Sequence, residues 1–279
     1  MKIGFIGAGR VGFTLGKYMK LHGVDVVGYY NRNVEHAREA ADFTDTLCYE
    51  TIDDLVRDSE VIFLTVSDKA IAEVYESLDA SSLNGKILCH TSGAMTSAVF
   101  TGSDSVGVYG YSVHPIYAVS DKLTSYKNFQ NAFITIEGHE RYLDMIRGLF
   151  SGMGFDTAVI RAEDKVKYHA AAALASNMVC GIFGMSERLL RECGFDDETA
   201  HKALSGLFLD NAKGIVEKGA AAQLTGPIER GDVGTVQSHL MTLNDEDKET
   251  YKALAGEVLK LAVIKNGEGG AYEELSRYI

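Results

Sequence analysis

Residues 1–6 (MKIGFI) form a short apolar run that meets a glycine-rich hexapeptide at once, and an amphipathic stretch over 11–22 follows. A short apolar run bounded by turn residues reads as a buried strand. Apolar residues at three- and four-residue spacing read as one face of a helix. The alternation continues along the first half of the chain. Residues 24–30 (VDVVGYY) predict a second strand, 34–41 a helix and 51–58 a short helix. Residues 60–66 (EVIFLTV) predict a buried strand that leads into a helix starting near Ala70, and 86–90 (KILCH) predict another. Two more strands are expected over 106–113 and 132–136. This βαβ rhythm predicts a mostly parallel sheet with helices on both faces.

Near residue 160 the texture changes. Residues 163–193 read as one long helical pattern without proline, with alanine at 170, 171, 172 and 173. A second helix is expected over 197–218, with Asp196 or Asp197 as its cap. A third is expected over 246–265, where Tyr251, Leu254, Ala255, Val258, Leu261 and Ala262 fall at helical spacing. No strand is expected after residue 161.

The hexapeptide Gly7-Ala8-Gly9-Arg10-Val11-Gly12 is G-x-G-x-x-G between a strand and a helix. Gly7 permits the tight turn, Gly9 leaves room for a pyrophosphate against the backbone, and Gly12 lets the helix pack close to the strand. The helix start offers free N–H groups and a positive dipole end to phosphates. A glycine turn in an unrelated α/β domain is the alternative. The expected architecture is α/β: an N-terminal Rossmann dinucleotide-binding domain over 1–160, and a C-terminal all-α domain for substrate binding and dimerisation over 161–279. Gly7, Gly9, Arg10, Val11 and Gly12 are the first candidate cofactor residues, joined by Val66 and Ser67 after the third strand.

The second strand ends in Asn31-Arg32-Asn33. A site selective for NAD places an acid here to accept from the ribose 2′-hydroxyl. This chain places Arg32, whose guanidinium suits a 2′-phosphate by charge and fork geometry. Asn31 and Arg32 therefore point to NADPH.

The net charge of −12 argues against a nucleic-acid partner, which would need a basic face. No apolar run approaches the roughly 18 residues of a membrane span, and Met1-Lys2 leads straight into the first strand, so no signal peptide is expected. The four cysteines lack paired metal spacing and read as reduced thiols of a cytoplasmic protein, and no metal site is expected.

In an open α/β sheet, ligands lie beyond the carboxyl ends of the strands. The polar residues there are Thr65, Ser67 and Asp68; His90, Thr91, Ser92 and Gly93; and Ser112, His114 and Tyr117. The long helical stretch adds Lys165, Lys167, Tyr168, His169, Ser176 and Asn177. In an unbroken α-helix, residues seven apart differ by only about 20° in phase, so His169 and Ser176 would share a face, with Asn177 beside them. Arg230 stands in a proline-fixed loop, where it could hold a carboxylate or form a local salt bridge, for example to Asp232.

The chain resembles the oxidoreductases that join a Rossmann-like domain to a helical domain called DUF2520, within the 6-phosphogluconate dehydrogenase-like superfamily. The resemblance covers nearly the whole chain. It rests on GAGRVG at 7–12, HTSGA at 90–94, SVHPIYAV at 112–119, YHAAAALASN at 168–177 and LTGPIERGDVGTVQSHL at 224–240. The group includes a second type of ketopantoate reductase. The related β-hydroxyacid dehydrogenases carry a lysine four residues before an asparagine on the long helix, and here that position is Ala173.

The resemblance implies an NADPH-dependent oxidoreductase acting on a small 2-oxo acid, ketopantoate first, with a homodimer as the assembly. His169 is expected to donate the proton and His114 to shape the site, with Lys165 or Lys167 as alternatives. Ser92 and Asn177 would bind the reacting oxygen, and Arg230 and Ser176 the substrate. An imine reductase of the pyrroline-carboxylate reductase type and a non-catalytic NADPH sensor are the alternatives.

Overall fold

The structure, a computed structural model, describes residues 1–100, 102 and 107–279. The chain divides into two compact units, 1–180 and 181–279.

The first unit is built on an eight-stranded sheet: β1 (Lys2–Ile6), β2 (Asp25–Tyr30), β3 (Leu47–Cys48), β4 (Val61–Leu64), β5 (Ile87–His90), β6 (Tyr109–Ile116), β7 (Phe133–Gly138) and β8 (Thr157–Val159). Their order across the sheet is β3-β2-β1-β4-β5-β6-β7-β8. Every neighbouring pair is parallel except β6 and β7. The chain leaves β1 in one direction and returns at β4 on the other side, which makes the β1/β4 boundary the switch point where such sheets bind ligands. Val106, the expected start of β6, lies outside the described residues.

Strand alternation divides the core in two. Phe5, Phe63, Cys89, Tyr111, Val113, Ile134 and Ile136 point to one face. There they pack with α1 (Arg10–Leu21) through Phe13 and Leu15, and with α5 (Leu143–Gly152) through Ile146 and Phe150. Ile6, Ile62, Leu64 and Leu88 point to the other face. They meet α3 (Ile52–Asp58) through Leu55 and α4 (Asp68–Ser77) through Ile71. The remaining helices of this unit are α2 (Val34–Thr44), α6 (Lys165–Ala175) and the start of α7 (Asn177–Glu192).

Two short strands and α5 were not expected from the pattern. β3 and β8 have two and three residues, too short to show alternation. The single long helix expected over 163–193 is not continuous. Residues 162–164 form a 3-10 turn, and Ser176, at φ −127° and ψ −76°, separates α6 from α7. Its hydroxyl donates back to the Ala172 carbonyl at 2.8 Å, a bond of the kind that Ser186 also makes within the unbroken α7.

The second unit is helical throughout its regular structure. It contains α8 (Asp197–Lys218), α9 (Ala220–Gln223), α10 (Val233–Thr242), α11 (Asp245–Asn266) and α12 (Gly270–Leu275). Asp196 caps α8 by accepting from the Thr199 N–H at 2.7 Å, as its position before the helix predicts. Ile228, Val236, Leu240, Ala255 and Leu275 form the buried centre. Arg188 holds Asp247 through both nitrogens, with Nη1 at 3.0 Å from Oδ2.

Candidate active site

The glycine turn makes the first half of the site. Gly7 has φ +106°, and a Cβ there would stand 2.8 Å from the Thr65 carbonyl carbon, so only glycine fits. Thr65 Oγ1 donates to the Gly7 carbonyl at 2.7 Å, tying the β4 end to the turn. A Cβ on Gly12 would stand 2.6 Å from Thr65 Oγ1. Gly9 differs: among the described residues beyond its chain neighbours, a Cβ there would meet only Thr65 O, at 3.6 Å. The space before Gly9 is therefore open, and α1 starts there with no side-chain cap. Its first N–H groups face a ligand position, which fits a pyrophosphate.

The turn opens into a cleft of about 660 Å³ that brings together Gly7, Gly9, Asn31, Arg32, Val66 and Ser67. Asn31 Oδ1 accepts from the Ala8 N–H at 3.3 Å, which fixes the end of β2 against the turn. Asn33 caps α2 through the Glu35 N–H at 3.1 Å. Arg32 and His36 line the same cleft, His36 being a lining residue that the strand-end reading missed. Arg10 turns aside and donates to the Ser120 carbonyl at 3.3 Å. Val11 lies in the first turn of α1, half-buried.

The second half of the site comes from the face of β5, β6 and β7 opposite Tyr111, Val113, Ile134 and Ile136. In register across these strands stand His90, Ser112 and Glu137, and one step further His114 and Thr135. A row of polar side chains is thus buried where a core would ordinarily be apolar, and each needs a partner.

His90 Nδ1 accepts from the Ser92 N–H at 3.2 Å, so its proton is on Nε2, which donates to the Thr96 carbonyl at 3.1 Å. Burial pushes this imidazole down to about 4. Ser92 Oγ donates to Asp68 Oδ2 at 2.7 Å and accepts from the Ala94 and Met95 N–H groups. Glu137 accepts from the Ser97 N–H and hydroxyl, both at 2.7 Å.

His114 Nδ1 lies 2.7 Å from the Tyr168 hydroxyl. Thr135 Oγ1 is 2.8 Å from that hydroxyl, the shorter of its two contacts, the other being the His114 carbonyl at 3.2 Å. With Thr135 donating to Tyr168, the phenol donates to His114 Nδ1 and the imidazole proton sits on Nε2. Burial, with the Lys165 charge second, pushes His114 down to about 4, so it is neutral at neutral pH. Its Nε2 and that of His169 each lie 2.9 Å from where a Cβ of residue 93 would stand. Gly93 therefore lets two imidazoles, with ring centres 6.1 Å apart, close on one point.

Behind them Lys165 is fully buried, and its Nζ has no hydrogen-bond partner among the described residues. The amine stands 5.5 Å from the Tyr168 ring centre. Burial pushes it down to about 8, opposed by the charges of Glu137 and Asp68.

Lys167 is exposed on α6. The shared face of His169 and Ser176 is corrected by the break in the helix: Ser176 ends α6, so the phase of a continuous helix does not carry past Ala175. Asn177 is exposed at the start of α7 and accepts from the Ser176 hydroxyl at 3.1 Å. Arg230 is exposed in the second unit, between α9 and α10. Asp232, the alternative partner for Arg230, instead caps α10 through the Thr235 N–H at 3.0 Å. Thr135 and Glu137 were missed, although they alternate with Ile134 and Ile136 in FITIEG.

A doubly wound sheet with an open glycine cradle at its switch point defines a Rossmann-type protein. Residues 2–93 match the family described as NADP oxidoreductase, coenzyme F420-dependent, and residues 132–258 match DUF2520, a domain of unknown function. The two matches together are consistent with the Rossmann-like DUF2520 family. Among solved structures, it is similar to protein TM1727 from Thermotoga maritima, at 23% identity over 94% of this chain and 99% of that one, TM-score 0.77. It is also similar to a pyrroline-5-carboxylate reductase from Coxiella burnetii, at 18% identity over 98% and 97%, TM-score 0.63. An imine reductase from Myxococcus stipitatus in complex with NADP+ matches at 19% identity over 100% and 99%, TM-score 0.60. At these identities the likeness concerns the fold. No curated protein sequence matches the chain. Among the described residues, no helix is long and apolar enough to cross a membrane.

The neutral histidines give stability a pH dependence. The unfolded imidazole titrates near 6.5, whereas folded His90 does so at about 4. On acidification the unfolded chain therefore binds the proton first, and stability falls between those values. The urea midpoint should be steady just above pH 6.5, as far as His90 sets it, and drop towards pH 4. His90→Gln should flatten that slope by up to about 3 kcal/mol; an unchanged slope would show that His90 is not held neutral.

Proposed function

We propose that the chain is a cytoplasmic NADPH-dependent reductase of a small 2-oxo acid, with ketopantoate the first substrate to test. The observation that carries this reading is His114. It is a neutral imidazole backed by a hydrogen-bonded phenol, with Nε2 at the strand ends that lead away from the glycine cradle. A carbonyl oxygen that gains charge during reduction needs such a fixed donor. A bound reduced nicotinamide would supply the hydride. The α1 start and Gly9 would hold the pyrophosphate, and Arg32 the 2′-phosphate. Arg230, exposed in its loop, is the proposed anchor for the substrate carboxylate.

Our reading exchanges the two histidine roles expected from the sequence. His169 is exposed on α6, whereas His114 has a proton supply behind it. Ser92 is assigned to holding Asp68 and the loop after β5. A second reading, reduction of a cyclic imine, is favoured by the fold shared along nearly the whole chain with pyrroline-carboxylate and imine reductases. NADPH oxidation against 2-oxo acids and cyclic imines separates the two. Turnover of an acid supports the first reading and turnover of imines alone the second, and no oxidation with any compound overturns both.

We also propose a homodimer through the helical elements. Leu209 and Val216 of α8, 65% and 86% exposed, share one face of the helix, since residues seven apart differ by only about 20° in phase, and a partner helix could cover that face. Gly181 and Gly184 of α7 have nothing within 4 Å of a Cβ position, so close helix approach is open there.

Three outcomes follow. Arg32→Ala should weaken NADPH by about tenfold to a hundredfold, from the roughly 1.5–3 kcal/mol of a charge-assisted contact, and leave NADH nearly unchanged. Equal loss for both cofactors in a binding titration would remove Arg32 as the selector. His114→Gln should lower kcat about a hundredfold or more, with NADPH affinity kept and a smaller effect from His169→Gln; the reverse ranking returns the donor role to His169. Light scattering should give a dimer mass, and a monomer at every concentration would contradict the assembly.

A further inference from the structure

A buried amine without a hydrogen-bond partner is a costly thing for a fold to keep. Removing Lys165 Nζ from water without a partner costs several kcal/mol, and a methionine of similar length would avoid that cost. The groups facing it come from every element packed around it: Asp68 at the start of α4, His90 on β5, His114 on β6, Glu137 on β7, and Tyr168 one turn along α6 itself. Both carboxylates already have donors, Ser92 for Asp68 and Ser97 for Glu137. The face that Lys165 presents to a reactive group is therefore towards the Tyr168 ring, at 5.5 Å.

We propose that Tyr168 is a proton store for His114, and that Lys165 is the positioning residue whose charge makes the stored proton available. The proposal rests on the reductase reading above. The reacting oxygen takes the Nε2 proton of His114. In the same step His114 Nδ1 takes the phenolic proton of Tyr168 across their 2.7 Å hydrogen bond. The imidazole ends neutral, with its tautomer exchanged. The negative charge moves from the substrate oxygen to the phenolate, where the Lys165 ammonium and the Thr135 hydroxyl, 2.8 Å away, offset it. After product leaves, water protonates Nε2 and Nδ1 returns its proton to Tyr168. One solvent proton is consumed per turnover, and the imidazole never becomes cationic.

Burial raises the Tyr168 phenol above its usual range and the Thr135 hydrogen bond opposes that; the Lys165 ammonium over the ring is placed to add to the opposition once charge develops on the oxygen. The same cation helps hold His114 in its neutral form.

The test reads protonation in the free protein, without substrate or cofactor. In protein labelled at histidine nitrogens and tyrosine Cζ, NMR should show His114 as the Nε2–H tautomer. Lys165→Met should raise the protonation midpoints of both His114 and Tyr168 by about one pH unit or more, as loss of a nearby charge requires, and Lys165→Arg should keep both close to wild type. Unmoved midpoints in folded Lys165→Met would overturn the proposal. If that variant does not fold, wild-type protein serves. As Lys165 loses its proton near pH 8, the His114 and Tyr168 signals must shift with the same midpoint, and signals that ignore it overturn the proposal. Coupled titration in a protein that reduces no acid or imine would sink the reductase reading alone. An active reductase with uncoupled titrations would sink the relay alone.

Discussion

The alternation along β5, β6 and β7 is the constraint from which the site follows. One face of these strands carries Cys89, Tyr111, Val113, Ile134 and Ile136, and it builds an ordinary apolar core. The other face carries His90, Ser112, Thr135 and Glu137, all buried, and the half-buried His114. Buried polar groups are tolerable only as a satisfied network, so each neighbour is selected to supply a partner. Ser97 comes to Glu137, Thr96 to His90, and Tyr168 to His114. Tyr168 arrives on α6, which fixes where that helix begins and places Lys165 beneath it. Tautomers, burial and charge at the site are all consequences of this one polar face.

The cradle and the polar face are joined through short connections after consecutive strands. Thr65 follows β4 and binds the Gly7 carbonyl. Asp68 opens α4 three residues later and binds Ser92, which follows β5. Gly93 comes next and makes room for His114 and His169. A dinucleotide lying from the glycine turn along these strand ends passes over rigid backbone throughout, the kind of mounting that chemistry at a fixed distance needs.

What could be read from the sequence follows the same physics. The glycine turn, Asn31, Arg32 and the central strands were legible because their information is local: a tight turn, a strand end, a run of buried residues. The His114 and His169 candidates were legible as types at strand ends and on a helix. Their meeting over Gly93 was not, because it joins residues from separate elements. Lys165 was one lysine among several on a helical stretch, and only the packing shows that it is buried while Lys167 is exposed. The break at Ser176 was hidden because serine and asparagine are ordinary within a helical pattern. The alternation in FITIEG was visible, but it reads equally well as a strand with one face in water.

The most direct test of the account is a crystal structure of the protein with NADPH. The pyrophosphate should lie against the N–H groups at the start of α1, the 2′-phosphate should meet Arg32, and the nicotinamide should end beside Gly93, within reach of His114. A dinucleotide bound in the cradle with its nicotinamide turned away from His114 would contradict the claim that the buried polar face serves reduction.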